Sequence, residues 1–535
     1  MASPGETRQR PRWWAGAVGY EIYIRSFNDA SGDGIGDLEG LRRRLAYLAD
    51  LGVDYLWITP FYPSPQADHG YDVADYTDVD PVYGTLADFD GVVRDAHALG
   101  LRVIIDIVPN HTSNQHPWFR DAVTSRHADK RGYYVWRAPA PDGGPPNNWV
   151  SKFGGPAWTL HEATGQYYMH TFLPEQPDLN WSSVQVLDEF DAILRFWLDR
   201  GVDGFRVDTA HLLTEDPHYR DNPQRTRPPE SADPETVYHS FEHRFDLDQP
   251  DVLDVYRRWH RILQPYNAML LGEVYLLQPT RVLRYVVDDA LDLAFYFPTL
   301  KATWNAASIR DALVPAASIS QQRFAWPLSS HDDPRATQRF GGGPVGARRA
   351  LAYLTLLSGL PGSPCLLQGD ELGLHADDLP SEHLQDPIAT RNSGTGGRDR
   401  SRTPMPWSAR HGYGFTTGTP WMPFPSDASA ADPVATQRRD HGSPLHRTRR
   451  LLTLRRQLRD LHGDTPLHWL NRRGPVIAYQ RGTTVVALNT ADRSQVLDTG
   501  GTDVDVRYAS EGTVTVVGGR LHLPPDTAAI ATRCP

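Results

Sequence analysis

Short apolar runs recur along the chain, separated by longer stretches whose apolar residues return at helical spacing. This alternation predicts repeated βα units around a parallel sheet. Eight runs read as strands: Tyr20 to Ile24, Tyr55 to Ile58, Val103 to Val108, Gly204 to Val207, Met269 to Glu273, Leu291 to Phe295, Phe324 to Leu328 and Pro364 to Leu367. Amphipathic helices fit the gaps at Leu38 to Leu51, Leu86 to Leu99 and Val186 to Arg200, each with a glycine close behind its end. Eight strands with helices between them predict a closed (β/α)8 barrel, an α/β fold.

Two stretches break the alternation. The first, residues 110–181, is rich in Pro, Gly, Trp and Tyr and too long for an ordinary loop, so it is expected to be a small inserted domain (domain B) over the barrel mouth. The second, residues 370–426, follows the last barrel strand and is expected to form a lid. After a helix at Pro444 to Leu461 the pattern changes to alternating strands with Gly and Asp turns, which predicts an antiparallel β domain over residues 464–535. Residues 1–109 and 182–463 are then the two parts of the barrel.

Three segments end strand-like runs in an acid: Gly204-Phe-Arg-Val-Asp208, Leu270-Leu-Gly-Glu273 and Ser330-His-Asp332. The carboxyl ends of parallel barrel strands are where such folds build their active sites, so Asp208, Glu273 and Asp332 are the candidate catalytic residues. One strand-terminal Asp is as readily a helix cap or turn residue; three in series are not. Arg206 lies two residues before Asp208 and faces the same side of its strand, where its charge would keep Asp208 ionised.

The net charge of −11 argues against nucleic acid and anionic membranes as partners, since both require a basic face. No apolar run approaches the roughly 20 residues of a membrane span, and Met1 to Arg12 is polar, without the apolar core of a secretory signal. A cytoplasmic protein is expected, either monomer or homo-oligomer. Cys365 and Cys534 give no disulfide framework and read as free thiols. The 15 Trp, 23 Tyr and 17 Phe serve mostly the core, though they also suit stacking on sugar rings.

Four segments, Asp106-Ile-Val-Pro-Asn-His111, Gly204-Phe-Arg-Val-Asp-Thr209, Gly272-Glu-Val274 and Ser330-His-Asp332, stand at the ends of strands three, four, five and seven. With Gly70-Tyr-Asp-Val-Ala-Asp-Tyr76, Gln176-Pro-Asp-Leu-Asn-Trp181 and Arg398-Asp-Arg-Ser-Arg-Thr-Pro-Met405, they make a chain that resembles glycoside hydrolase family 13, the α-amylase family, and within it the α-glucosidase and oligo-glucosidase group. The resemblance implies that Asp208 is the nucleophile and Glu273 the acid/base of a retaining mechanism, with Asp332 gripping sugar hydroxyls. It implies sugar-pocket roles for Asp68, Tyr71, His111, Phe153, Phe172, Arg206, Thr209, His331 and Arg398. Arg402 competes with Arg398 for its role.

Asp29-Ala-Ser-Gly-Asp-Gly-Ile-Gly-Asp37 has carboxylates at the first, fifth and ninth positions of a Gly-containing loop. Such a loop is usually a turn, but the resemblance implies a structural Ca²⁺ or Mg²⁺ held by Asp29, Ser31, Asp33, the Ile35 carbonyl and Asp37, with no cofactor needed for chemistry. Three positions depart from the family pattern: Ser31 and Ser330 replace a usual Asn, and Asp370 replaces a common Glu. Ser330 and the following Asp333 are expected to alter the pocket. Thr209 accompanies a preference for α-1,4 links in this group. The expected activity is exo-hydrolysis of terminal α-1,4-linked glucose from short maltooligosaccharides. The alternatives are a transglucosidase, glucosyltransferase or isomerase of the same family, trehalose synthase-like or sucrose-acting, and, behind these, a non-catalytic carbohydrate-binding relative.

Overall fold

The computed structural model describes residues 12–534 except 230–231, 320–321, 376–378, 392–396, 425–431, 472 and 501–502. Most of the N-terminal segment and parts of the expected lid lie outside the described residues.

Eight parallel strands close into a barrel: β1 (Gly19–Ile22), β2 (Tyr55–Ile58), β3 (Arg102–Ile107), then, after three strands of another sheet, β7 (Gly204–Val207), β8 (Met269–Gly272), β9 (Leu293–Phe295), β10 (Phe324–Pro327) and β11 (Ser363–Leu367). Each strand pairs with its neighbour in this sequence, and β11 pairs with β1 to close the ring. The expected (β/α)8 barrel is what the chain forms.

Successive strand residues point to opposite faces. On one face Ile22, Ile58, Ile105, Val207 and Leu270 pack among the helices in the main core. On the other, Tyr55, Trp57, Ile104, Met269, Leu271, Leu293 and Phe295 fill the barrel interior. Gly19 has no side chain because the Tyr55 ring occupies its place: a Cβ there would stand 2.4 Å from that ring. Parity fixes the site, since the inward set also contains Glu21, Asp106, Arg206 and, just past the strand ends, Asp208 and Glu273. Register does the rest: Asp106 is the direct Cα partner of Arg206, and Glu21 of Trp57.

The helices at Leu38–Leu51, Leu86–Ala98 and Val184–Asp199 lie close to their predicted spans. Asp37 caps the first by accepting from the Gly40 N–H, and Thr85 and Asp88 form a reciprocal capping box on the second. Several boundaries differ from expectation, most by one or two residues, and two of them have a visible cause. β1 stops at Ile22, whose partner Ile58 is also the last residue of β2, and the backbone tightens into a 3-10 turn at Ile24–Ser26. The helix from Pro444 ends at Gln457 because Leu458 is extended, and Arg459–Leu461 is a separate 3-10 turn.

Within residues 110–181 lies a short helix, Pro117–Ala122, and a three-stranded antiparallel sheet made of β4 (Trp136–Arg137), β5 (Trp158–His161) and β6 (Gln166–Met169), with β6 central. Past the last barrel helix the chain forms two antiparallel sheets. β12 (Leu467–Trp469), β13 (Val476–Arg481), β14 (Thr484–Asn489), β16 (Val504–Ala509) and β19 (Thr527–Arg533) make one, and β15 (Gln495–Asp498), β17 (Thr515–Val517) and β18 (Arg520–Leu523) the other. The buried Arg481 guanidinium ties this tail to the barrel by donating to the carbonyls of Gly359 and Leu461 at 3.3 and 3.0 Å. Among the described residues no helix is long and apolar enough to cross a membrane.

Candidate active site

The carboxyl ends of the strands open into a cavity of ≈ 1770 Å³. Its wall includes Asp208, Glu273 and Asp332 together with Asp68, Tyr71, His111, Phe153, Phe172, Thr209 and Arg398. Arg206 and His331 stand directly behind that wall.

The floor is organised by the Arg206 guanidinium, whose side chain is 3% exposed. Its Nη1 donates to Asp106 Oδ1 at 2.8 Å and to Asp208 Oδ1 at 2.7 Å, and its Nη2 to Glu273 Oε2 at 2.7 Å. Sequence reasoning gave this charge to Asp208 alone; the structure divides it among three carboxylates. Burial then pushes Asp208 up to about 6 and Glu273 up to about 7, against the pull of Arg206, and Asp332 pushes both further up. Asp106 is likewise raised by burial to about 6.

Glu273 Oε2 also accepts the Thr209 backbone N–H at 2.9 Å. With two donors on Oε2, a proton on this carboxyl resides on Oε1. Thr209 reaches that position at φ 40°, a left-handed conformation that a β-branched residue rarely takes. The Ala210 N–H to Glu273 carbonyl bond and the Leu212 N–H to Thr209 carbonyl bond, both 2.9 Å, hold it there.

Asp332 is set differently. Its side chain is 37% exposed, open to the cavity, and Oδ1 faces Arg402 Nη2 at 2.8 Å, Arg398 Nη1 at 3.3 Å and His331 Nε2 at 3.3 Å. Burial would raise its carboxyl, but the three cations outweigh it and hold the group well below the ordinary carboxylate range. Ser330 Oγ accepts from the Asp332 and Asp333 N–H groups at 3.2 and 3.1 Å, so the serine fixes the turn that carries Asp332. It does not line the cavity, nor does Asp333, which pairs with Lys301 at 2.7 Å. The expectation that these two departures alter the pocket is corrected to an indirect effect, through the turn and through Lys301, whose ammonium lies 5.6 Å from the centre of the cavity-lining Tyr275 ring.

Arg398 and Arg402 are separated by position. Arg398 lines the cavity and joins Asp68 Oδ1 at 2.6 Å and Asp386 Oδ2 at 2.8 Å, while Arg402 is fully buried behind Asp332 and donates to the His331 carbonyl at 3.1 Å. His111 Nε2 stands 3.0 Å from the Gln176 amide nitrogen and 3.1 Å from the Tyr71 carbonyl, and burial lowers its ring to about 4, so it is neutral. Phe172 packs edge-on against His111 at 5.2 Å and beside Phe153 at 5.7 Å, an aromatic wall.

Sequence reasoning missed Glu21, Asp106, Asp386 and the cavity-lining Lys152 and His211. A charged residue inside an otherwise apolar, fully buried strand is the signal that marks Glu21 and Asp106, because a buried charge persists only when paired.

The loop at residues 29–37 lies away from this cavity. Asp29 Oδ1 accepts from Gly32 N–H and Ser31 Oγ at 2.6 and 3.0 Å, Asp29 Oδ2 from Gly34 N–H at 2.8 Å, and Asp37 Oδ2 from the Ala30 and Ser31 N–H groups at 2.9 and 3.0 Å. Among the described residues no three His, Cys, Asp or Glu side chains converge as a metal site. The donor set is nonetheless all oxygen, the chemistry that suits a hard divalent cation.

Residues 21–463 match the family described as "Alpha amylase, catalytic domain". The chain is 40% identical over 483 residues to a probable α-glucosidase of Rhizobium meliloti (strain 1021), spanning 88% of this chain and 87% of that protein. It is 36% identical over 506 residues to a trehalose-6-phosphate hydrolase of Escherichia coli (strain K12), spanning 86% and 89%. The crystal structure of an α-glucosyl transfer enzyme superposes with a TM-score of 0.91 at 37% identity, over 98% of this chain and 99% of that one.

The shared guanidinium makes a stability prediction. Arg206→Met leaves three buried carboxylates without their common cation and is expected to cost about 3–5 kcal/mol at pH 8 in denaturant unfolding. Because Arg206 pulls all three groups down, its loss raises them above their wild-type values of about 6 to 7, so the variant takes up protons first and the deficit shrinks as the pH falls from 8 toward 6. A cost independent of pH would mean that Arg206 acts by packing alone.

Proposed function

The chain belongs to the α-amylase family of glycoside hydrolases, and from that premise we propose that it is a retaining, exo-acting α-glucosidase that removes terminal α-1,4-linked glucose from short maltooligosaccharides. The observation that carries the reading is the single guanidinium joining Asp208 and Glu273 at the cavity floor. Two carboxyls bridged in this way suit the spacing of about 5–5.5 Å used by retaining enzymes, not the wider gap that admits a water for inversion.

In this reading the Asp208 oxygen not held by Arg206, Oδ2, attacks the anomeric carbon while Glu273 delivers the proton on Oε1 to the departing oxygen. The C–O bond to the leaving sugar breaks and a glucosyl ester of Asp208 forms. Glu273, now a carboxylate, takes a proton from water, whose oxygen attacks the anomeric carbon and frees Asp208. Asp332, held ionised by its three cations, grips sugar hydroxyls and stabilises the positive charge that develops on the ring. Asp68, Tyr71, His111, Phe153, Phe172 and Arg398 form the glucose pocket around these groups, with Arg206 and His331 beneath it and Thr209 toward the leaving sugar. The cavity exceeds the roughly 300–1000 Å³ of an ordinary small-molecule site, which suits more than one sugar ring.

A second reading, glucosyl transfer to a sugar acceptor instead of water, draws on the likeness to the α-glucosyl transfer enzyme. Product analysis with maltose, maltotriose, isomaltose, trehalose, trehalose 6-phosphate and sucrose separates the two. Glucose released from the α-1,4 substrates in step with their loss is expected; new oligosaccharides without matching glucose would establish transfer, and turnover of none would overturn both.

The loop at residues 29–37 is included as a structural Ca²⁺ or Mg²⁺ site, with Asp29, Ser31, Asp33, the Ile35 carbonyl and Asp37 as the oxygens that would hold the ion. It supplies no chemistry to the reaction. Dialysis against EDTA is expected to lower the melting temperature by several degrees, and Ca²⁺ to restore it; an unchanged melting curve with no bound metal by elemental analysis would remove the site.

The electrostatics predict a narrow pH profile. Turnover requires Asp208 ionised and Glu273 protonated, so kcat/KM rises through about pH 6 and falls through about pH 7, as apparent values of a coupled set. In Glu273→Gln, assayed on an activated aryl α-glucoside that needs no protonation, the alkaline limb should vanish. Its persistence at the same pH would assign that limb to another group.

A further inference from the structure

His331 is placed so that both ring nitrogens meet acceptors. Nδ1 faces Glu21 Oε1 within hydrogen-bond distance, and Nε2 faces Asp332 Oδ1 at 3.3 Å and the Tyr71 hydroxyl at 2.9 Å. The Tyr71 hydroxyl also stands 3.1 Å from Asp106 Oδ2, and with its proton on that carboxylate its oxygen is free to accept from Nε2–H. A neutral imidazole carries one N–H: with that proton toward Glu21, Nε2 would turn a lone pair to Asp332 Oδ1, and only the doubly protonated ring meets both carboxylates with a donor. Glu21 and His331 are each 1% exposed, so the pair is closed to bulk solvent. The ring stacks on Tyr71 at 5.5 Å and on Tyr23 at 5.8 Å, faces that favour a cation.

We propose that Glu21 is a positioning residue that keeps His331 doubly protonated, so that an imidazolium beneath Asp332 fixes that carboxylate in its charged form and orientation. The inference rests on the functional reading only for what Asp332 then does to sugar. The charged and titratable groups around the ring are Glu21 on β1, Tyr23 just after it, Tyr71, Asp106 through Tyr71, Asp332, and Arg402, which donates to the His331 carbonyl. Arg335 and Asp370 influence Glu21 from the far side. Asp332 and Glu21 favour the charged ring and together outweigh burial and Arg402, so its proton is held above the ordinary histidine range.

Glu21→Gln tests the charge without changing the shape, since the Gln oxygen can still accept from Nδ1. In protein labelled with ¹⁵N-histidine, with His331→Asn used to assign the signals, wild-type His331 is expected to show two protonated nitrogens from pH 5 to pH 8. In Glu21→Gln one nitrogen should lose its proton within that range, while Glu21→Asp, which keeps the charge, retains both. Activity should follow: kcat/KM of Glu21→Gln falls about tenfold near pH 7, and the ratio of wild type to variant grows as pH rises, because the variant's histidine is lost to deprotonation earlier. A neutral His331 in wild type at pH 6 to 7, or unchanged doubly protonated signals in Glu21→Gln through pH 8, would overturn the proposal. The nitrogen signals are read without substrate, so they stand or fall separately from the assignment of the activity.

Discussion

Arg206 is the interaction on which the cavity depends. Taking one guanidinium and three carboxylates out of water is costly, and a single positive charge cannot neutralise three negative ones. At the effective dielectric of a protein site, a pair 4 Å apart interacts by about 4 kcal/mol, so each carboxylate competes for a limited attraction. Burial first, and then the unbalanced charge, is relieved by protons, and Asp106, Asp208 and Glu273 are accordingly pushed up toward neutral pH. A chain that placed two arginines here would keep every acid ionised and leave no protonated carboxyl at the cavity floor.

This concentration of charge follows from strand parity and register. Arg206 points inward because Phe205 and Val207 are claimed by the helix-facing core, and it meets Asp106 because β3 and β7 pair with those residues opposite. Glu273 enters the same layer because β8 continues the parity of Met269 and Leu271. A one-residue slip of β7 would send Arg206 among leucines and valines and leave the acids without a counterion. The apolar packing of the barrel and the electrostatics of its mouth are therefore one constraint: the hydrophobic alternation that buries the strands also aims the charged groups.

Much of this was legible in the sequence. Eight apolar runs and their periodic spacers were enough for the barrel, since burial on both faces gives strands a strong signal, and the acids at strand ends located the cavity. Less legible was anything set by contacts between distant segments. That Arg206 is shared and that Arg402 lies behind Asp332 while Arg398 faces the cavity depends on loops whose course no local pattern encodes. Ser330 read as a departure from the family pattern able to alter the pocket, and its hydroxyl in fact turns back to accept from the backbone of the turn that carries Asp332. The strained φ of Thr209 is likewise invisible, for it arises from the fit of one turn against Glu273.

The cavity thus holds two electrostatic regimes a few residues apart. On one side Glu273 is buried, shares a guanidinium with two other acids and is pushed up to about 7; on the other Asp332, more open to the cavity, faces two arginines and a histidine and is held well below the ordinary carboxylate range. Neither state belongs to the carboxyl group itself. The difference lies in how many cations each acid meets, one shared guanidinium for Glu273 and three positive groups around one oxygen of Asp332, which is set by the inward parity of three strands on one side and by the His331 turn and the Arg398–Arg402 segment on the other. A single uniform polar cavity would give both acids the same state at any pH. Splitting the cations unequally lets one acid hold a proton near neutral pH while the other carries a fixed charge, and it does so with residues that a parallel barrel already brings to its carboxyl end.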